Sequence, residues 1–190
     1  KGLSQGISPE DSAILDELHL LDRLLAFQRD PGQDAADSPG VMPQNWGHFQ
    51  ILERIGAGGF GVVYRAHDTD IDVDVALKAV APKLLQTADE QKTFSKFIKT
   101  ARKLHHANIV RIYDEGRDQG PNGERRFFTM QLLEGLTLRK IIQLRREKSQ
   151  VFQLPEVEPI FAQLAQALDY AHKTTYHGDL KPENVLVLPD

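Results

Sequence analysis

One lysine constrains this chain more than any other residue. Lys78 closes Val75-Ala76-Leu77-Lys78 inside the apolar, strand-like run Val73 to Val80. Half-burying an ammonium in such a run is costly unless an anion meets it. The turn upstream, Gly56-x-Gly58-x-x-Gly61, indicates which anion. Glycines let bare backbone N–H groups come close to phosphate oxygens. The same glycine pattern marks dinucleotide-binding folds, but there it opens a helix and an acidic residue follows about 20 positions on. Here Val62-Val63-Tyr64-Arg65-Ala66 follows, a β-rich run that returns as a strand. The pattern therefore predicts strand, glycine turn, strand, and then the lysine strand.

A second polar cluster, His177-Gly-Asp-Leu-Lys-Pro-Glu-Asn184, lies near the end of the chain. Together with Ile55-Gly-Ala-Gly-Gly-Phe-Gly-Val-Val-Tyr64 and Val75-Ala-Leu-Lys78, in that order, it resembles the protein kinases of the serine/threonine type, in their bacterial style. The likeness covers roughly Trp46 to Leu188. Seventeen positions separate Gly61 from Lys78, and five separate Asp179 from Asn184, the separation the kinase catalytic loop uses. The fold so implied is α+β: an antiparallel-sheet small lobe with one main helix, a hinge, and the start of a helical lobe.

The resemblance assigns roles. Gly56, Gly58 and Gly61 would cover the phosphates of ATP, with Phe60 at the tip and Lys78 on the α- and β-phosphates. Ile55, Val63 and Ala76 would border the adenine, Met130 falls at the gatekeeper position, and Gln131 to Leu133 form the hinge. Asp179 would take the proton of a Ser/Thr hydroxyl on a protein substrate, and Lys181 would offset charge on the moving phosphoryl. Asn184 would bind Mg2+ through its amide oxygen, a hard ligand for a hard cation. His177 supports the loop by packing and hydrogen bonding. The three other histidines considered, His105, His106 and His172, share no metal-ligand spacing.

The sequence departs from the family pattern in three places. Gly178 stands where an Arg usually precedes Asp179. The helix after Lys78 should present a glutamate to it, yet counting back from His106-Ala-Asn-Ile-Val110 puts Phe97 there, or Thr100 with a three-residue deletion. The chain stops at Asp190, ahead of the Asp-Phe-Gly that supplies the main magnesium ligand, so it reads as truncated and inactive by itself. A nucleotide-binding regulatory module, a pseudokinase, is the alternative.

Around these motifs the chain divides into 1–45, 46–133 and 134–190. Ser8-Pro9-Glu10-Asp11 starts a helix over about 9–29, with Ile14, Leu18, Leu21 and Leu25 at helical spacing. It either packs on the small lobe or acts as an interaction or dimerisation helix. Asp30 to Asn45, with three prolines and two glycines, is a linker. Strands are expected over 48–55, 62–66, 73–80, 109–113 and 126–133, with a surface loop at 118–123. Asp68, Asp70, Asp72 and Asp74 mark a solvated hairpin tip. Helices are expected over 90–104, 138–148 and 155–173. In the last of these Val157, Ile160, Phe161, Leu164 and Leu168 are spaced to be buried. With little of a lobe to cover it, that 157–168 stripe, or the 9–29 helix, should drive self-association.

Composition excludes other classes. The 190 residues carry a formal charge of −4, which argues against a general nucleic-acid binder. Residues 1–40 hold eight acids against three bases, so the acid is concentrated there. With no cysteine there is neither a disulfide nor a thiolate chemistry to consider. No apolar run approaches the ~18 residues of a membrane span, so no membrane partner is expected and the cytoplasm is the expected compartment.

Overall fold

A computed structural model describes residues 45–58, 61–120 and 123–189. The expected 9–29 helix, the linker and Phe60 lie outside the described residues. The first strands are β1 (Asn45–Trp46), β2 (Phe49–Gly58), β3 (Gly61–Asp68) and β4 (Val73–Val80). Helix α1 (Ala88–Ala101) follows, then β5 (Ile112–Gly120) and β6 (Gly123–Met130). These strands form an antiparallel sheet in the order β1-β2-β3-β4-β6-β5. Beyond it come β7 (Leu136–Thr137), α2 (Leu138–Glu147), α3 (Leu154–Ala171) and β8 (Leu186–Val187), which pairs with β7.

The sheet has two apolar faces because β4 alternates. Val75 and Leu77 point to one side with Trp46, Phe49, Ile51, Ala66 and Phe127. Ala76 and Val80 point to the other, with Val63, Phe128 and Met130, where Phe94, Phe97 and Ile98 of α1 cover them. Lys78 is on this covered face, since its cross-strand partners are Val63 and Phe128.

Helix α1 starts two residues earlier than expected because of a capping box. The Glu90 N–H donates to Thr87 Oγ1 at 3.2 Å, and the Thr87 N–H donates to Glu90 Oε2 at 2.9 Å. The helix ends at Ala101, short of the expected 104. The expected strand 109–113 is displaced: β5 runs from Ile112 to Gly120 and is exposed along much of its length. The expected loop at 118–123 is for the most part hairpin, paired out to Gly120 and Gly123. Gly116 is required there, because a Cβ would meet the Phe127 ring at 2.2 Å. Strand β6 ends at Met130 rather than 133, and the chain continues as irregular hinge.

In α3, Val157, Ile160, Leu164 and Leu168 are half-buried, but Phe161 is 65% exposed, against expectation. Its ring points off the inward stripe, which continues instead through the buried Ala167 and Ala171. The hairpin tip falls at 69–72, as the aspartates indicate.

Phe94 is fully buried and joins α1 to the sheet, its ring 6.2 Å from that of Phe128. Phe94→Ala is expected to lower the unfolding free energy by about 3–5 kcal/mol. Urea titration should show a lower midpoint with an unchanged slope.

Candidate functional site

The site is built from two structures of different kinds, a sheet and a loop. On the sheet, the glycine turn is a hairpin between β2 and β3 that closes on the pair Gly58 and Gly61. Gly61 has φ +137°, and a Cβ there would lie 1.8 Å from the Ala79 carbonyl oxygen. Only glycine lets β3 lie this close to β4. Val63, Ala76 and Met130 line up on the covered face, with Ala76 directly opposite Met130. Ile55 is largely exposed on the β2 side of the turn. At the hinge, the Gln131 N–H donates to the Arg111 carbonyl at 2.9 Å. What the hinge can still offer a planar ligand is the Gln131 carbonyl and the Leu133 N–H.

Lys78 is 2% exposed, among the most buried large side chains described. Burial pushes its amine down to about 8 from the usual 10.5, because the low-dielectric interior disfavours the charged form. A phosphate beside it would reverse that shift.

The loop 177–185 holds the second half. Lys181 Nζ lies 2.5 Å from Asp179 Oδ2. Asn184 Nδ2 donates to the same oxygen and to the Asp179 carbonyl, each at 2.8 Å. That orientation assigns the amide protons to Asp179 and makes Oδ1 the acceptor of the Asn184 side chain. An amide oxygen beside a carboxylate is a donor set that suits a hard divalent cation. Burial lowers the His177 pKa, keeping the ring neutral, so its Nδ1 accepts the Asp179 N–H at 3.3 Å. Gly178 stands between them in the left-handed region, φ +74°.

The loop is anchored to α2. Thr137 caps that helix, its hydroxyl accepting the Lys140 N–H at 3.2 Å, and the Leu138 N–H donates to the Val185 carbonyl at 2.8 Å. Arg139 Nε donates to Glu183 Oε1 at 2.7 Å. Burial works to raise the Glu183 carboxyl, but the Arg139 bond and charge outweigh it and hold the group below the usual carboxylate range. Sequence reasoning missed these anchors, although the Thr137 cap ahead of an amphipathic run was visible.

The family described as protein kinase domain matches residues 49–190. The chain belongs to the protein kinase family. A Clostridium acetobutylicum protein named a probable serine/threonine-protein kinase is 34% identical over 143 residues, 75% of this chain and 20% of its own length. Serine/threonine-protein kinase PknD of Chlamydia trachomatis is 33% identical over 147 residues, 73% of this chain and 15% of the relative. This chain thus spans about a fifth or less of the curated relatives it matches. Among solved structures, the PknI kinase domain of Mycobacterium tuberculosis superposes with a TM-score of 0.66 at 22% identity, over 78% of this chain and 58% of that one. That likeness bears on the fold, and it agrees with the sheet, principal helix and partial helical lobe described above.

For this kinase domain, the family's lysine-binding glutamate is absent from the covered face of α1. Phe97 is buried there against the sheet, and Thr100 is only partly covered. The described residues include no helix long and apolar enough to cross a membrane.

Since its charge is desolvated, Lys78 costs the nucleotide-free protein stability at neutral pH. Its folded pKa lies below the unfolded one, so the penalty is full below about 8 and is lost as pH rises through 10.5. Lys78→Met should be more stable than the parent at pH 7, by up to about 3 kcal/mol. The advantage should vanish toward pH 10.5, as urea unfolding at several pH values will show.

Proposed function

We propose that this chain carries the nucleotide-holding and hydroxyl-activating parts of an ATP-dependent serine/threonine protein kinase. The observation that carries the reading is the pairing of a buried strand lysine beside a glycine hairpin with the Asp179, Lys181 and Asn184 cluster. Magnesium-bound ATP would supply the phosphoryl group and the cation that offsets its charge.

The chain's own residues divide the work. Backbone N–H groups of Gly56 to Gly61 and the Lys78 ammonium bind phosphate oxygens. Ile55, Val63, Ala76 and Met130 provide apolar walls for the base, and the Gln131 carbonyl and Leu133 N–H orient its edge. Asn184 Oδ1 holds the magnesium. Lys181 and Asn184 fix Asp179 through Oδ2, and its carboxylate receives the proton of a serine or threonine hydroxyl. A protein bearing that hydroxyl is the substrate class.

The Phe97 side chain in place of an acid favours a second reading, nucleotide binding without transfer. Both are tested together. In the full-length protein, ATP-dependent incorporation of phosphate is expected, falling at least about 100-fold in Asp179→Asn and in Lys78→Met. At ~100 Kd, ATP should stabilise the chain by about 2.7 kcal/mol. Stabilisation without incorporation under any metal supports the second reading, and absence of both rejects the two.

Self-association is a further part of the proposal. The half-buried stripe of α3 borders a groove of about 520 Å³, lined also by Leu104, Val110 and Leu186. Light scattering of the 190-residue chain should show a mass that grows with concentration, whereas a strict monomer rejects this contact.

A further inference from the structure

Helix α1 turns Phe94, Phe97 and Ile98 to the sheet, and the side it turns to solvent carries one sign of charge. At roughly 100° per residue, Lys92, Lys96 and Lys99 fall within about 60° of one another, directly opposite the three buried residues. All three are exposed, and so is Lys103, which continues the row just past the end of the helix. Lysines three and four positions apart repel one another and weaken the helix that carries them. The nearby acids are engaged elsewhere. Asp114 of β5 accepts from Arg102 at 2.8 Å, Glu115 of β5 accepts the Ser95 hydroxyl at 2.9 Å, and Glu90 closes the cap with Thr87. Asp89, one turn ahead of Lys92, is the acid of α1 on this side. Among the described residues, no ion pair engages Lys92, Lys99 or Lys103.

The opposite charge lies ahead of the sheet in the same chain. Residues 1–40 carry eight acids against three bases, with Glu10, Asp11, Asp16, Glu17 and Asp22 inside the span expected to be helical. The other basic helix, α2, has its arginines paired, Arg139 with Glu183 at 2.7 Å and Arg145 with Glu156 at 3.0 Å. The acidic segment joins the described structure at Asn45, where β1 begins. Positions 30–44 extend to as much as roughly 50 Å, against about 21 Å for the 14 residues of α1. Such a tether reaches α1 and keeps the acids at high local concentration.

We propose that the exposed lysine row of α1 is the docking surface for this chain's own acidic segment, residues 10–22, held in cis by charge. Lys92, Lys99 and Lys103 receive its carboxylates, which relieves the repulsion along the helix. The contact lies on the outer side of α1. It bears on the helix that covers the Lys78 face of the sheet without entering that face, and it does not depend on the nucleotide reading. A contact made by charge weakens in salt, because the screening length falls from about 10 Å at ~0.1 M to about 3 Å at ~1 M.

The chain has no cysteine, so Ser12→Cys accepts a single nitroxide label with no other change. In the ¹⁵N-labelled 190-residue chain at ~0.1 M salt, the amide signals of Lys92, Lys96, Lys99 and Lys103 are expected to lose intensity relative to the reduced label. They should recover at ~1 M salt, and in the variant that combines Lys92→Glu with Lys99→Glu. Full intensity at these four amides, or a loss that survives either the salt or the charge reversal, overturns the proposal. Should the charge-reversed variant not fold, the salt series on the parent decides alone. Mixing nitroxide-labelled chain lacking ¹⁵N with unlabelled ¹⁵N chain separates the sources of the acid. Unchanged α1 signals in that mixture are expected, whereas a loss there assigns the contact to a second copy and overturns docking in cis.

Discussion

Placing one ammonium inside a sheet is the condition to which the rest of the structure answers. Strand β4 can hold Lys78 only because its neighbours alternate. Val75 and Leu77 anchor one face, and Ala76 and Val80 the other. The two apolar layers supply the burial that offsets the desolvated charge. A strand with a single apolar face would let the lysine turn outward. The aromatic layer on the outer face, where Trp46 stacks edge-on with Phe127 at 5.5 Å and lies under the Arg125 guanidinium at 4.0 Å, thus serves the site although it touches none of it.

The two halves of the site differ in how they are fixed. Lys78 is positioned by a ladder of backbone hydrogen bonds on both sides. Asp179 is positioned by side chains, through Lys181, Asn184 and the neutral His177. Among the described residues, polar links between the small lobe and α3 are few and exposed: the His105 N–H to the Tyr170 hydroxyl at 3.1 Å, and Asn108 to Gln163 at 2.7 Å. Exposed bonds of this sort contribute little net free energy. The relation between the halves therefore depends on apolar contact along the groove, which can slide, rather than on directional bonds, which cannot.

Parts of this were legible in the sequence because they are local. The glycine hairpin, the lysine strand and the 177–184 loop each carry their physics within a few residues, and each is where the spacing put it. Strand β5 was not legible beyond Tyr113. Its sequence Asp-Glu-Gly-Arg-Asp-Gln-Gly is that of a loop, and it becomes a strand only because β6 supplies a ladder and Phe127 needs Gly116 beneath its ring. The Thr87 and Glu90 cap was readable and sets the true start of α1, while Phe161 shows that helical spacing names a stripe more surely than its edges.

Gly178 shows how a departure from a family pattern is accommodated. With φ at +74° the chain reverses between His177 and Asp179, so that the Asp179 N–H turns back onto the imidazole. Glycine takes this conformation without strain, whereas a side chain there costs on the order of 1 kcal/mol or more. An arginine at this position would be held in strain, which is worthwhile only if its guanidinium has an anion to bind. Glycine removes both the strain and the cation. The loop is then set by Asn184 and Lys181 on one oxygen of Asp179, by the imidazole on its backbone, and by the Arg139 guanidinium of α2 on Glu183.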